Sequence, residues 1–225
     1  MRHGQSESNA RLTAALDSNL TPLGVKQADA TARALVEHYL AAPREAVLFT
    51  SPFRRTLQTA RPLAARADIV AHAYSGICEF FSADNAAYES FCGLSAAEMR
   101  RDYPFVRTDG LMPLDPTWWP EELEDTAAIA GRAARVRDAL YTLYAGTDRQ
   151  IVLVSHAEPI GRLIEAMLRV PAADGWPPWS QNCGISRLIV RAPGEPADLI
   201  VLSDISHLAR EGLVSPIAQE PLNSK

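Results

Sequence analysis

Apolar residues first fall into a repeat after Pro22, where Leu23, Ala28, Ala32, Leu35 and Tyr39 recur toward Ala42. This spacing lays one apolar stripe along a helix, and Thr21 followed by Pro22 is a helix-start pair, so an amphipathic helix is predicted from there. The rhythm then changes. Ala46-Val47-Leu48-Phe49-Thr50 is a short continuous apolar run ended by Ser51-Pro52, after which Phe53 to about Arg66 reads as a helix. Ile151-Val152-Leu153-Val154 repeats the unit with more β-branched residues and closes on Ser155-His156, before a helix from about Pro159 to Arg169. Another long helix is predicted from Glu121 to Tyr144. Two later runs, Ile185 to Val190 and Leu199 to Leu202, flank a turn at Ala192-Pro193-Gly194 and predict strands that could close as a hairpin.

Strands alternating with helices predict an α/β fold, three layers α/β/α, with a mainly parallel central sheet covered on both faces. Between Phe80 and Pro120 the rhythm fails: Phe80, Phe81, Tyr88, Phe91, Trp118 and Trp119 alternate with polar residues and four prolines. A segment that long without clear elements is usually functional, so a lid over about 80–120 is predicted, with one helix around Ser95 to Asp102. Its aromatics are read first as packing and only second as a pocket lining. Residues 1–210 are expected to form one domain carrying this lid, and 211–225 a loosely ordered tail.

Composition narrows the function. Hydrophobic residues are 47 % of the 225 and charged ones 22 %, enough to bury a core. The net charge is -5 and no Lys/Arg run forms a basic patch, so neither nucleic acid nor an anionic membrane is an expected partner. Any anionic ligand must be held by a local cationic cluster. No stretch approaches the ~18 apolar residues of a membrane span, and the chain opens on Arg2-His3 rather than on a signal peptide. Cys78, Cys92 and Cys183 are odd in number and widely spaced, which argues against a disulfide framework or a zinc site and for a reducing cytoplasm. His38, His72 and His207 follow no ligand spacing, so no metal or cofactor is expected.

In open parallel sheets, ligands gather at the carboxyl ends of the strands, where this chain delivers Ser51 to Arg55 and Ser155-His156. With Arg2-His3-Gly4, the inventory becomes two histidines and at least two arginines. That set suits metal-free phosphoryl transfer through a histidine. A neutral imidazole, with an ordinary pKa of about 6.5, is a competent nucleophile but must approach an anion. Guanidinium groups grip phosphate oxygens bidentately and offset the charge on the transferring group. A second histidine can donate to a nonbridging oxygen, and a carboxylic acid must protonate the leaving alkoxide.

The ordered blocks resemble the histidine phosphatase superfamily, also called phosphoglycerate-mutase-like. Arg2-His3-Gly4-Gln5-Ser6 with Asn9 is similar to its Arg-His-Gly-Glu-Ser/Thr-x-x-Asn signature, with Gln5 in place of the common Glu. Leu20 to Ala28 resembles the Leu-Thr-x-x-Gly-x-x-Gln-Ala helix start. Ser51 to Ala60 resembles the block that carries the phosphate arginine, placing it at Arg55 with Arg54 as its neighbour. Val154-Ser155-His156-Ala157 is similar to Val-Ser-His-Gly, with Ala157 replacing Gly, and Asn182 to Ile185 and Asp204 to Leu208 look like the closing strands.

The resemblance implies that His3 is the nucleophile and becomes phosphohistidine. It also implies that Arg2, Arg55 and His156 form the phosphate pocket, with Asn9 and the Ala157 N–H as further donors. Gly76-Ile77-Cys78-Glu79 resembles the segment that starts with the acid, which makes Glu79 the general acid and later base; Asp84, Glu89 and Glu158 stand as alternatives. The implied activity is hydrolysis of a small phosphorylated metabolite, without metal or cofactor. A mutase-type phosphotransferase is the alternative, but Glu79 is followed by Phe80-Phe81-Ser82 instead of the mutase continuation Arg-x-Tyr-Gly. A truncated or non-catalytic phosphate-binding module is a third reading. It arises because only Met1 precedes Arg2, where an apolar inner strand is expected; either the start lies upstream or the site is built differently.

Overall fold

The computed structural model describes residues 1–80, 91–112, 114–119, 122–172 and 180–216. Helix α1, Pro22–Ala34, starts where Thr21 Oγ1 accepts the Gly24 N–H at 3.0 Å, with Pro22 in the first turn where its missing N–H costs nothing. It does not run on as α-helix to Ala42: Leu35–Tyr39 forms a π-helical turn, closed by the Leu40 N–H on the Leu35 carbonyl at 2.9 Å. Strand β1, Val47–Thr50, leads into α2, Arg54–Ala67. Strand β2, Ala71–Ala73, helix α3, Ala96–Asp102, and the short strand β3, Val106–Arg107, follow. Ser95 caps α3 in a capping box with Glu98.

Helix α4 covers Thr126–Tyr144 and starts five residues later than its composition suggests, because the Asp125 carboxylate accepts the Ala128 N–H and fixes the start there. Strand β4, Ile151–Val154, then gives way to α5, Ala157–Leu168. Strands β5, Ile185–Ile189, and β6, Asp198–Asp204, form the antiparallel hairpin expected at the Pro193-Gly194 turn, and α6, Ser206–Ala209, follows. Among the described residues no helix is long and apolar enough to cross a membrane.

The four strands of the main sheet are all parallel, in the order β3-β2-β1-β4. Alternation in β1 sends its side chains to opposite faces. Leu48, fully buried, packs with Leu57, Ala60 and Leu63 of α2, whereas Phe49, equally buried, packs with Val136 and Leu140 of α4 and Met167 of α5. Both faces of the sheet are therefore covered, at about 1.5–3 kcal/mol for each large side chain buried.

Within the described part of the 80–120 excursion, β3 extends the sheet edge, and Met99 and Trp118 are buried. Phe81, Tyr88, Pro113 and Pro120 lie outside the described residues. Leu213 and Ser215 are held by Gln27. Gln27 Nε2 donates to the Leu213 carbonyl at 2.8 Å and to Ser215 Oγ at 2.9 Å, which ties that stretch down, and Ser215 is buried. Residues 217–225 lie outside the described residues.

Residues 1–3 run alongside β4. The Met1 N-terminus donates to Leu153 O at 2.7 Å, Ser155 N–H to Met1 O at 3.0 Å and His3 N–H to Ser155 O at 3.0 Å, a parallel ladder on the far side of β4. On its other side Arg2 N–H reaches Gly184 O and Cys183 N–H reaches His3 O. The site is thus built on backbone pairing from both flanks. Beside Met1, between β4 and β5, lies a largely apolar cavity of about 450 Å³ lined by Ile151, Leu153, Ile164, Leu188 and Tyr144 among others. It contains none of the site's ionisable groups.

Candidate active site

Register brings the site together. Thr50 of β1 faces Val154 of β4, so the residues that follow, Ser51 and Ser155-His156, leave the sheet side by side. Arg2 pairs with Ser155, which places His3 in the same row. Helices α2 and α5 start at this edge, so Arg55 in the first turn of one and the Ala157 N–H at the start of the other point their positive ends the same way. Ala157 takes up helical backbone, which suits a Cβ and explains why glycine is not required there.

His3 and His156 are 1 % and 0 % exposed, with ring centroids 5.2 Å apart. His3 Nδ1 lies 2.7 Å from the Gly4 carbonyl and can only be the donor there, so the proton sits on Nδ1 and the lone pair on Nε2. Arg55 Nε donates to that Nε2 at 3.2 Å, Arg55 NH1 to the Leu16 carbonyl at 2.7 Å and Arg55 NH2 to Glu79 Oε2 at 3.2 Å. Glu79 Oε2 is also 3.3 Å from His156 Nδ1, and Glu79 Oε1 accepts the Phe80 N–H at 3.0 Å. With 29 % of its side chain exposed, Glu79 stands at the opening to solvent. Arg2 NH1 donates to the Ser180 carbonyl at 2.8 Å. Phe53 sets its ring 5.0 Å from that of His156, with Phe91 stacked on it and Trp118 edge-on, so these aromatics back the site as packing.

Electrostatics follow from this enclosure. Burial first, then the positive charges of Arg55 and Arg2 and the neighbouring His156, hold His3 well below the usual histidine range. Burial lowers His156 to about 4, against the attraction of Glu79. Both rings are neutral at neutral pH. Burial opposes ionisation of Glu79, but His156, Arg55 and the Phe80 N–H outweigh it and hold the carboxyl well below the carboxylate range. Burial raises the thiol of Cys78 to about 11, so the thiol beside Glu79 is inert at neutral pH.

His3, Arg55, Glu79 and His156 form one contact cluster, with Arg2 on the chain beside them. Asn9 is exposed, and its Oδ1 accepts from Ser6 N–H and Asn182 Nδ2, leaving its amide nitrogen as the donor. Arg54 turns away onto Asp17, accepted at 2.7 Å through its backbone N–H. Of the other carboxylates, Glu158 pairs with Arg162 at 3.0 Å, and Asp84 and Glu89 lie outside the described residues.

Sequence reasoning passed over three supports. Ser51 Oγ contacts His156 Nε2 at 2.8 Å; Asn182 Nδ2 donates to the His3 carbonyl at 3.1 Å; and Arg132 binds the backbone that carries Glu79. Only Arg132 left a signal, as a charge on the buried stripe Ile129, Arg132, Ala133, Val136, Leu140 of α4.

Ligand atoms of His3, Glu79 and His156 lie within 4.8 Å of one another, close enough for a metal ion. The guanidinium of Arg55 bonds both His3 and Glu79, however, and a second guanidinium, that of Arg2, belongs to the chain beside them. A site so charged fits an anion with several oxygens.

A family model described as the histidine phosphatase superfamily, branch 1, matches residues 1–200. A glucosyl-3-phosphoglycerate phosphatase of Mycolicibacterium vanbaalenii is 30 % identical over 211 residues, covering 87 % of this chain and 86 % of that protein. The structure of a mycobacterial glucosyl-3-phosphoglycerate phosphatase complexed with VO3 superposes with a TM-score of 0.62 and 27 % identity, over 90 % of this chain and 96 % of the other. A phosphoserine phosphatase of Entamoeba histolytica shares the fold at a TM-score of 0.63 and 21 % identity, over 92 % and 96 %.

Proposed function

This chain belongs to the histidine phosphatase superfamily, and on that premise we propose that it hydrolyses a small phosphorylated metabolite through a phosphohistidine on His3. The observation that carries the reading is the His3 ring itself: Nδ1 is engaged by Gly4 O, and the lone pair of Nε2 accepts from Arg55 Nε. An arriving phosphate takes over the Arg55 donors and releases that lone pair. Arg2, Arg55, the amide of Asn9, His156 and the Ala157 N–H supply donors around the phosphoryl oxygens.

In the first step His3 Nε2 attacks phosphorus, the P–N bond forms and the P–O bond to the leaving group breaks. The departing alkoxide takes a proton from the Glu79 carboxyl. Glu79 is ionised in the resting site, so binding itself must load it. A phosphate dianion beside Arg55 and His156 offsets the positive field that keeps the carboxyl ionised and raises its proton affinity. In the second step the Glu79 carboxylate takes a proton from water, the water oxygen attacks phosphorus, and the P–N bond breaks to return neutral His3 and inorganic phosphate. The arginines hold the charge throughout, so no metal enters any step, and activity is expected to survive chelation. The named relatives make glucosyl-3-phosphoglycerate the first substrate to try.

Rapid quench with a ³²P-labelled monoester tests the reading. The wild type should accumulate an acid-labile, alkali-stable phosphoprotein, and His3→Ala should lose it together with at least about 10³-fold in kcat. A His3→Ala protein that keeps full turnover would refute the mechanism.

A further inference from the structure

Residues 76–79 join no strand, yet their four consecutive carbonyl oxygens all have side-chain donors. Ser155 Oγ donates to Ile77 O at 2.7 Å. The other three belong to a single guanidinium: Arg132 NH1 donates to Gly76 O at 3.1 Å and Cys78 O at 2.8 Å, and Arg132 NH2 to Glu79 O at 3.5 Å. Its two remaining N–H groups meet Glu124, Nε on Oε1 at 2.8 Å and NH2 on Oε2 at 2.7 Å. All five donors are thereby used, in the planar fork that arginine alone offers. Both side chains of the pair are 11 % exposed.

A buried ion pair is weak evidence of stabilisation, because desolvation offsets most of the attraction. This pair does something more specific. Glu124 fixes the plane of the guanidinium, the guanidinium fixes three carbonyls, and these carbonyls fix the backbone from which the Glu79 side chain leaves toward Arg55 and His156. We propose that Arg132, held by Glu124, is a positioning residue for proton transfer, setting where the Glu79 carboxyl stands relative to the leaving oxygen. The proposal rests on the reading of Glu79 as the general acid.

Dependence on the leaving group separates positioning from mere structural support. An aryl phosphate such as p-nitrophenyl phosphate expels a stabilised anion and needs little protonation, whereas an alkyl phosphate such as phosphoserine needs a full proton. Arg132→Lys keeps the charge but cannot span the five acceptors. It should lose about 10²-fold in kcat on phosphoserine, the scale of a 1 Å misplacement, with p-nitrophenyl phosphate changed only a few-fold. Glu124→Gln, which perturbs less, should show the same split at smaller size and covers the case in which Arg132→Lys fails to fold. Adding Arg132→Lys to Glu79→Gln should cost nothing further on phosphoserine.

Equal losses on both substrates, or additive losses in the double variant, would mean that the pair only supports the fold and would overturn the proposal. If Glu79→Gln itself shows no leaving-group split, the acid assignment fails and the proposal with it, an outcome recognisable from that variant alone.

Discussion

Ser51 Oγ lies 2.8 Å from His156 Nε2 and decides which nitrogen of that ring carries the proton. The Glu79 carboxylate, which can only accept, lies 3.3 Å from the ring's Nδ1, so the Ser51 hydroxyl donates to Nε2. The imidazole proton is then on Nδ1, the nitrogen 3.3 Å from Glu79 and facing the phosphate site. Ser51→Ala removes that instruction. The variant should lose about tenfold in kcat/KM, the equivalent of one lost hydrogen bond of about 1.4 kcal/mol. ¹⁵N spectra of the ring should report a protonated Nδ1 in the wild type and a mixture in the variant. An unchanged tautomer with an unchanged rate would rule out this role.

A second chain of bonds reaches His3 from the C-terminal side. Ser215 Oγ donates to Asn182 Oδ1 at 3.1 Å, and Asn182 Nδ2 donates both to the His3 carbonyl and to Asn9 Oδ1. Asn182 is buried, so Asn182→Ala leaves several polar groups without partners at a cost of about 1–3 kcal/mol. Urea unfolding should register that loss, and KM for the phosphate ester should rise because Asn9 is released. Ser215→Ala should show the same signs at smaller size; no change in either variant would disconnect this strap from the site.

What the sequence made legible were the places where one local rule acts. Apolar runs ending at Ser51 and Ser155 marked two parallel strands whose ends carry the site, and the ordered blocks named His3, Arg55, Glu79 and His156. The misses are tertiary. Ala71-His72-Ala73 has no strand pattern of its own and becomes β2 only because β1 offers a partner edge. Val106–Arg107 is too short to carry a periodicity. Glu121 to Asp125 is compatible with helix by composition, and only the Asp125 cap sets the start of α4. Ser215 lies in a polar tail and gains its meaning from Gln27 and Asn182, far away in sequence. No local signal could have identified it.

Gly4 and Gly24 cross at backbone contact, and this crossing locks the His3 loop to α1. A Cβ on Gly24 would sit 2.1 Å from the Gln5 carbonyl oxygen, and one on Gly4 would sit 2.6 Å from the Gly24 oxygen. Backbone cannot yield as a side chain can, so Gly24→Ala should destabilise by about 1–3 kcal/mol and depress kcat by moving His3. Gly131 supplies the contrast. Inside α4 its Cβ would meet only Arg135 NH1 at 3.6 Å, so Gly131→Ala should stabilise by about 0.5–1 kcal/mol and leave turnover alone. Equal melting temperatures for the two variants would contradict the crossing.

Acid sensitivity should be set by the buried histidines before the carboxylates. His156 binds its proton near pH 4 in the folded protein and near 6.5 when unfolded, and His3 is shifted the same way. Above pH 6.5 both states are neutral and the slope from these groups is zero. As pH falls from 6.5 toward 4, the unfolded chain takes up protons that the folded one refuses, so stability drops, by roughly 3 kcal/mol for His156 alone. Glu79 acts later and in the same direction. Its depressed pKa contributes stability that is present above its ordinary value of 4.5 and is lost below it. Urea unfolding at steps from pH 7.5 to 4.5 should therefore show a decline that begins near 6.5, and His156→Gln should flatten its upper part. The rate constant for phosphorylation should not fall with it, because His3 stays neutral through the same window. A stability flat from pH 6.5 to 5, or a rate that halves at 6.5, would mean that these rings are hydrated and titrate normally.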